Sequence, residues 1–367
     1  MLHLFLISLM TLALASVCRA VRYESSVLKE DIDWYDATES PMTLCGVLPP
    51  DDKEDYYHRM PLEVARKASE DVVSMCRQTA GGRVRLVTDS PFVAIHADLW
   101  HNYQYPNLTH IASAGFGIYA GETKEEYAGV AVAPIDNNEG NDWQVPLPAG
   151  TKRVTVCMPL YGGVKTLYIG VRRGSLLKKA PRYRYDKPVV FYGSSITQGG
   201  CASRPGNSYQ GMMSLSMDMN YVNLGFSGCG RGEQCVAEYI AGLDMSAFVL
   251  DYDHNAHTPE HLRATHYPFF ETVRRRHPEL PVIMVSRPVL RPTAEELERI
   301  AIIRESCCRA RLGGDNNVYF VDGSCFMRGY AADAWSVDGC HPNDLGFAQM
   351  AQVLENVLRL VLKPDGA

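Results

Sequence analysis

The sequence predicts an α/β domain with a five-stranded parallel sheet over residues 187–363, preceded by a β-sandwich of jelly-roll type over residues 21–180. Three observations carry this. From residue 187 onward, short apolar, β-branched runs alternate with segments of helical period, the pattern of βαβ units with right-handed crossovers. Residues 21–180 show no such alternation, only short strand-like runs bounded by Gly, Pro, Asn and Asp. Between the two, residues 177–184 form a basic, proline-containing run that reads as a solvated linker.

The first twenty residues stand apart. Residues 4–17 are apolar but too few to span a bilayer comfortably, and Ala13-Leu14-Ala15 and Cys18-Arg19-Ala20 offer small-residue cleavage sites. Residues 1–20 read as a secretory signal peptide, with an uncleaved anchor as the alternative because the segment before the apolar run carries His3 and no Lys or Arg. No later run is long enough for a transmembrane helix. The protein is therefore expected to be secreted or periplasmic.

In the front half, residues 83–87, 92–97, 115–119, 153–157 and 166–171 read as strands. Residues 62–75 break the series with Leu62, Val64, Ala65, Ala68, Val72 and Met75 at helical spacing. Asn107-Leu108-Thr109 is a glycosylation sequon, meaningful in a secreted eukaryotic chain. Export also bears on the eleven cysteines, of which at least two are expected to pair. Cys229 and Cys235 are close enough for a local loop, Cys325 and Cys340 bracket the segment leading to His341, and adjacent Cys307 and Cys308 could bond only under strain.

In the second half the strands read as 187–192, 221–224, 247–251, 281–286 and 318–321. Helices read as 208–217, 231–242, 259–276, 293–311 and 344–362. Five such strands suit the flavodoxin-like order 2-1-3-4-5, which sets the first strand at the topological switch point where open α/β sheets bind ligands.

Ser195 follows that first strand, after Gly193 and Ser194. A serine hydroxyl needs a base to become a nucleophile, and a histidine base needs an orienting carboxylate. Asp338-Gly339-Cys340-His341 supplies both on one tight loop after the fifth strand. The oxyanion needs donors: the N–H of Ser195, the N–H of Gly228 after the second strand, and the side-chain amide of Asn255 after the third.

These blocks resemble the SGNH/GDSL hydrolase superfamily: Gly193-Ser194-Ser195-Ile196 for the nucleophile, Gly228 and Asn255 for the oxyanion hole, Asp338 and His341 for the acid–base pair. Ser194 stands where an aspartate is usual, Asp253 where a glycine is, and Ala256 where another aspartate is. YGSSITQGGCASRPG, NLGFSGCGRGE, LDYDHNA and HPNDLGF are similar to runs in a subgroup with a jelly-roll front domain. MPLYGGVKTLYIGV and Gly115-Phe116-Gly117-Ile118-Tyr119 resemble that front domain, whose Gly-x-Asp-Leu-Tyr signature has lost its aspartate here. The resemblance implies an ester hydrolase needing no metal or organic cofactor. Carbohydrate acetyl esters are a common substrate class there, and acyl transfer through the same site is a rarer activity.

Alternatives remain. Ser227, in Gly225-Phe226-Ser227-Gly228, approaches a nucleophile elbow that lacks its last glycine. Cys201 is a thiol without an evident partner. Asp251, Asp253, His254, His257 and His261 could hold zinc or manganese for a metal-dependent esterase or phosphodiesterase. A non-catalytic carbohydrate-binding protein is a further possibility. Arg204 and Glu233 are candidate substrate-pocket residues. A net charge of −6 without a basic stripe argues against nucleic acid as a partner.

Overall fold

The computed structural model describes residues 20–364, apart from 22, 29, 30, 53 and 330. The expected signal peptide, Ala20 excepted, lies outside the described residues. The chain opens with strands β1 (Ile32–Asp36) and β2 (Thr43–Cys45), then helices α1 (Leu62–Ala68) and α2 (Glu70–Cys76). Next come β3 (Arg83–Thr88), β4 (Phe92–His101), α3 (His110–Ala114), β5 (Gly115–Gly121), β6 (Glu126–Val132), β7 (Asn141–Pro146), β8 (Lys152–Cys157), β9 (Gly163–Arg172) and β10 (Leu177–Lys179). They form two antiparallel sheets, β1-β9-β4-β7 and β10-β3-β8-β5-β6, with β2 also on β3. Val84, Leu86, Val93, Ile95, Phe116 and Ile118 fill the sandwich between them.

The second half contains β11 (Tyr185–Gly193), α4 (Ser195–Gln198), α5 (Tyr209–Met217), β12 (Met219–Gly225), α6 (Gln234–Ala241), β13 (Ala247–Asp251) and α7 (Pro259–Arg276). It ends with β14 (Val282–Val285), α8 (Ala294–Leu312), β15 (Val318–Val321) and α9 (Asp344–Val361). The sheet runs β12-β11-β13-β14-β15, parallel throughout, which is the expected order 2-1-3-4-5. Side chains alternate across the central strand β11. Val190 and Tyr192 join one core with Phe226, Phe248 and Phe269; Val189 and Phe191 join the other with Tyr209, Met213 and Met350.

Two expectations change. The 177–184 run is pinned at its centre, where Tyr183 is buried, accepts a hydrogen bond from Arg83 Nε at 3.1 Å and lies 3.5 Å from the Arg85 guanidinium. The helical insert splits at Ser69, whose extended backbone and side chain cap α2 by accepting from the Val72 N–H. Its buried residues, among them Leu62, Val72 and Val73, belong to the core of the α/β half, beside Tyr192 and Val236.

The expected disulfide is also corrected: every cysteine among the described residues is a free thiol. Cys76 donates to the Met60 carbonyl at 3.1 Å and Cys201 to the Asn107 carbonyl at 3.0 Å. Burial pushes the Cys157, Cys201 and Cys229 thiols up to about 12. A protonated thiol does not attack a partner sulfur. Among the described residues no helix is long and apolar enough to cross a membrane.

Candidate active site

β11 delivers the chain to a turn that only glycine permits, since a Cβ on Gly193 would collide with the Thr197 side chain and the Asp251 carbonyl. Ser194 then caps α4: its hydroxyl accepts from the Ile196 N–H, and its own N–H donates to Thr197 Oγ1 at 3.2 Å. Ser194 is thus spent on structure, and Ser195 opens the short helix.

Ser195 Oγ lies 2.9 Å from His341 Nε2. His341 Nδ1 lies 2.8 Å from Asp338 Oδ2. Gly339, at φ +83°, turns the loop so that Asp338 Oδ1 also accepts the N–H of His341 at 2.8 Å and of Cys340 at 3.0 Å. Asn107 adds its side-chain amide to Oδ2 at 3.1 Å. Partial burial pushes the Asp338 carboxyl up, but the His341 N–H, the imidazole, the Cys340 N–H and the Asn107 amide outweigh it and hold the group well below the usual carboxylate range.

The loop after β12 carries Gly228 at φ +71°, with open space around its Cα. Asn255 reaches the same loop, donating one amide N–H to the Phe226 carbonyl at 2.8 Å. A primary amide has two such donors, so one remains for a ligand. Gln198 joins this loop to the Ser195 turn and to the front half: its Oε1 accepts the Ser227 N–H at 3.0 Å, and its Nε2 donates to Gln78 Oε1 at 2.5 Å. Tyr161, also from the front half, donates its hydroxyl to the Ser195 carbonyl at 3.3 Å.

The other candidates do not converge here. Arg204 donates to the Tyr119 hydroxyl at 3.4 Å and lies 4.2 Å over the Tyr127 ring, which ties its loop to the front sheet. Glu233 accepts from the Tyr192 hydroxyl at 2.5 Å and the Arg231 N–H at 2.8 Å. Neither lines the cavities beside His341. The carboxylate–histidine cluster is dispersed. Asp251 accepts from Tyr209 and Thr197, Asp253 pairs with Arg287 and Arg299, and His261 Nε2 contacts the Arg231 carbonyl. Among the described residues the one group with metal-ligating spacing is Cys201, Asp338 and His341, which are otherwise engaged as described. The Cys201 thiol, held protonated by burial and by the Asp338 charge, is a poor nucleophile.

A cavity of about 140 Å³ lies at Ser227, Gly200, Tyr161 and His341. It shares Tyr105, Asn107, Leu108 and Cys201 with an open cleft of about 600 Å³. Asn107, visible in the sequence only as a sequon, sits on both walls, so a glycan on its Nδ2 would enter the cleft. Gln78 gave no sequence signal, and Tyr161 and Gln198 showed only as members of the MPLYGGVKTLYIGV and YGSSITQGGCASRPG runs, because each acts through a partner distant in the chain.

Residues 186–359 match the GDSL-like lipase/acylhydrolase family, and residues 32–177 match the N-terminus of the Esterase_SGNH_hydro-type. A protein of Bacteroides ovatus ATCC 8483 described as a GDSL-like lipase is 30% identical, with TM-score 0.79, over 91% of this chain and 99% of its own. The chain belongs to the GDSL-like lipase/acylhydrolase family. As a GDSL-like acylhydrolase it is an ester-hydrolysing enzyme. It shares its two-part fold with a salicylyl-acyltransferase from a tetracycline biosynthetic pathway, at 21% identity and TM-score 0.74 over 90% of this chain and 98% of that one. A family two carbohydrate esterase from Clostridium thermocellum, solved with cellohexaose, is 15% identical with TM-score 0.58 over 77% of this chain and 92% of that one. No curated protein matches this GDSL-like chain.

Proposed function

We propose that this acylhydrolase cleaves short-chain carboxylic esters, with carbohydrate acetyl esters as the first class to test, using Ser195, His341 and Asp338. The observation that carries the reading is the continuous chain of contacts, 2.9 Å from Ser195 Oγ to His341 Nε2 and 2.8 Å from His341 Nδ1 to Asp338. His341 takes the hydroxyl proton as Oγ attacks the ester carbonyl carbon. The N–H groups of Ser195 and Gly228 and the second amide N–H of Asn255 hold the oxyanion. His341 returns the proton to the departing alcohol, leaving an acyl-serine that water attacks by the reverse sequence. No metal or organic cofactor enters these steps.

The test is an ester panel of sugar acetates, lipid esters and aryl esters, run on wild type and Ser195→Ala with a serine-reactive probe. Turnover and labelling that both vanish in the variant support the reading; activity that persists in Ser195→Ala but falls with chelator overturns it in favour of a metal. Adding free alcohols to the same assay separates hydrolysis from transfer, since a competing acceptor diverts the acyl-serine to a new ester. Secretion is proposed from residues 1–20 alone, and amino-terminal sequencing of the exported protein tests it.

A further inference from the structure

We propose that the open cleft beside His341 binds the alcohol half of the ester, that this alcohol is uncharged with an alkyl or arylalkyl body, and that the small cavity limits the acyl half to a short chain. This rests on the Ser195–His341 reading. In the tetrahedral intermediate the oxyanion faces Gly228 and Asn255, whereas the leaving oxygen must face His341 Nε2 to receive its proton. The 140 Å³ cavity runs from Ser227, next to Gly228 in the loop after β12, to His341. The 600 Å³ cleft takes its further walls from either side of His341, at Val337 and at Asn343, Asp344 and Leu345, and none from residues 225–230 or 252–256. A substituent continuing past the imidazole into this cleft is the alcohol.

The chemistry of the walls selects its kind. Val337 and Leu345 are 53% and 42% exposed and face the cleft together with Tyr105 and Leu108. Large aliphatic side chains open to solvent at the mouth of a site gain by covering. Among the described residues no Lys or Arg lines the cleft. Its carboxylate, Asp344, already accepts from Ser203 and from Asn207. An anionic alcohol would therefore meet negative charge without a counter-ion, and a bare sugar would leave the aliphatic wall uncovered. The apolar body can be a free alcohol or the aglycone of a glycoside.

The experiment holds the acyl group at acetate and varies primary alcohols of similar leaving ability: ethyl, hexyl and 2-phenylethyl acetate, then acetylated methyl glucoside against acetylated octyl glucoside. The expected result is a rise in kcat/KM of about tenfold from ethyl to hexyl, the lower end of what a hydrophobic subsite gives. A matching rise between the glucosides alone assigns the apolar body to an aglycone. Replacing hexyl acetate by hexyl hexanoate is expected to lower kcat/KM by about tenfold or more. Val337→Asn and Leu345→Gln, both at exposed positions, should flatten the ethyl-to-hexyl rise in kcat/KM. Turnover with no alcohol preference, or a preference that survives both variants, overturns the proposal. Absence of turnover on every ester, with Ser195 unlabelled, instead overturns the hydrolase reading beneath it.

Discussion

Asn107 donates its side-chain amide to the carboxylate of Asp338, 231 residues further along the chain. The same loop is fixed to the α/β half by Thr109 Oγ1 on the Ser203 carbonyl at 2.7 Å and by Cys201 Sγ on the Asn107 carbonyl. A front-half residue thus completes the environment of the acid that orients His341.

Asn107→Ala should lower kcat/KM by about fivefold, near 1 kcal/mol, because a charge-assisted hydrogen bond is lost at an exposed position where water partly replaces it. Asn107→Asp should do more. A second carboxylate beside Asp338 favours the cationic imidazole, which cannot accept the serine proton, so the acid limb of the pH–rate profile moves to higher pH. A merely structural role would lower the plateau without moving the limb.

Asn255→Ala should cost about 3–4 kcal/mol of transition-state stabilisation, or about two to three orders of magnitude in kcat, with little change in KM. Steady-state kinetics on one good substrate separate this from a binding defect, in which KM rises and kcat holds.

Asp338→Asn should lower kcat by about 10⁴-fold while leaving the fold intact, since the amide preserves shape but no longer stabilises the imidazolium. Circular dichroism melts alongside kinetics check both halves of the expectation.

Asp251 lies buried at the end of β13, and burial pushes its carboxyl from 3.8 up to about 7. The folded state therefore prefers the protonated acid. This group's destabilising contribution is absent below the unfolded pKa, grows as pH rises from about 4 to about 7, and is constant above. Asp251→Asn keeps an acceptor for Tyr209 and Thr197 and removes the titration. The difference in urea midpoint between variant and wild type should move in the variant's favour across that window; a difference constant with pH would remove Asp251 as the cause.

The approach of the 338–341 loop to Ser195 was legible in the sequence because parallel topology brings strand ends to one rim: Ser195 follows β11, and the 338–341 loop follows β15. Apolar runs fixed the sheet and its order. The pairings of Asn107 with Asp338 and of Gln78 with Gln198 were not legible, since a hydrogen bond spanning 120 or 231 residues imposes no local period. Four-residue α4 is too short to show helical spacing. The disulfide expectation came from the assumed compartment, whereas every cysteine among the described residues is a free thiol. The 177–184 run looked solvated because its exposed Lys and Arg residues mask Ala180 and Tyr183, both buried.

Helices α1 and α2 precede the sandwich's β3 in the chain yet pack in the core of the sheet that follows it. Arg59, just before α1, is fully buried and donates to the Met75, Asn223 and Gly225 carbonyls. A chimera joined near residue 180 would carry these helices off with the wrong parent, stripping one face of the recipient sheet and orphaning carbonyls at the end of β12. Recombination among relatives is thus constrained to exchange residues 59–76 together with the hydrolase half, or not to exchange halves at all.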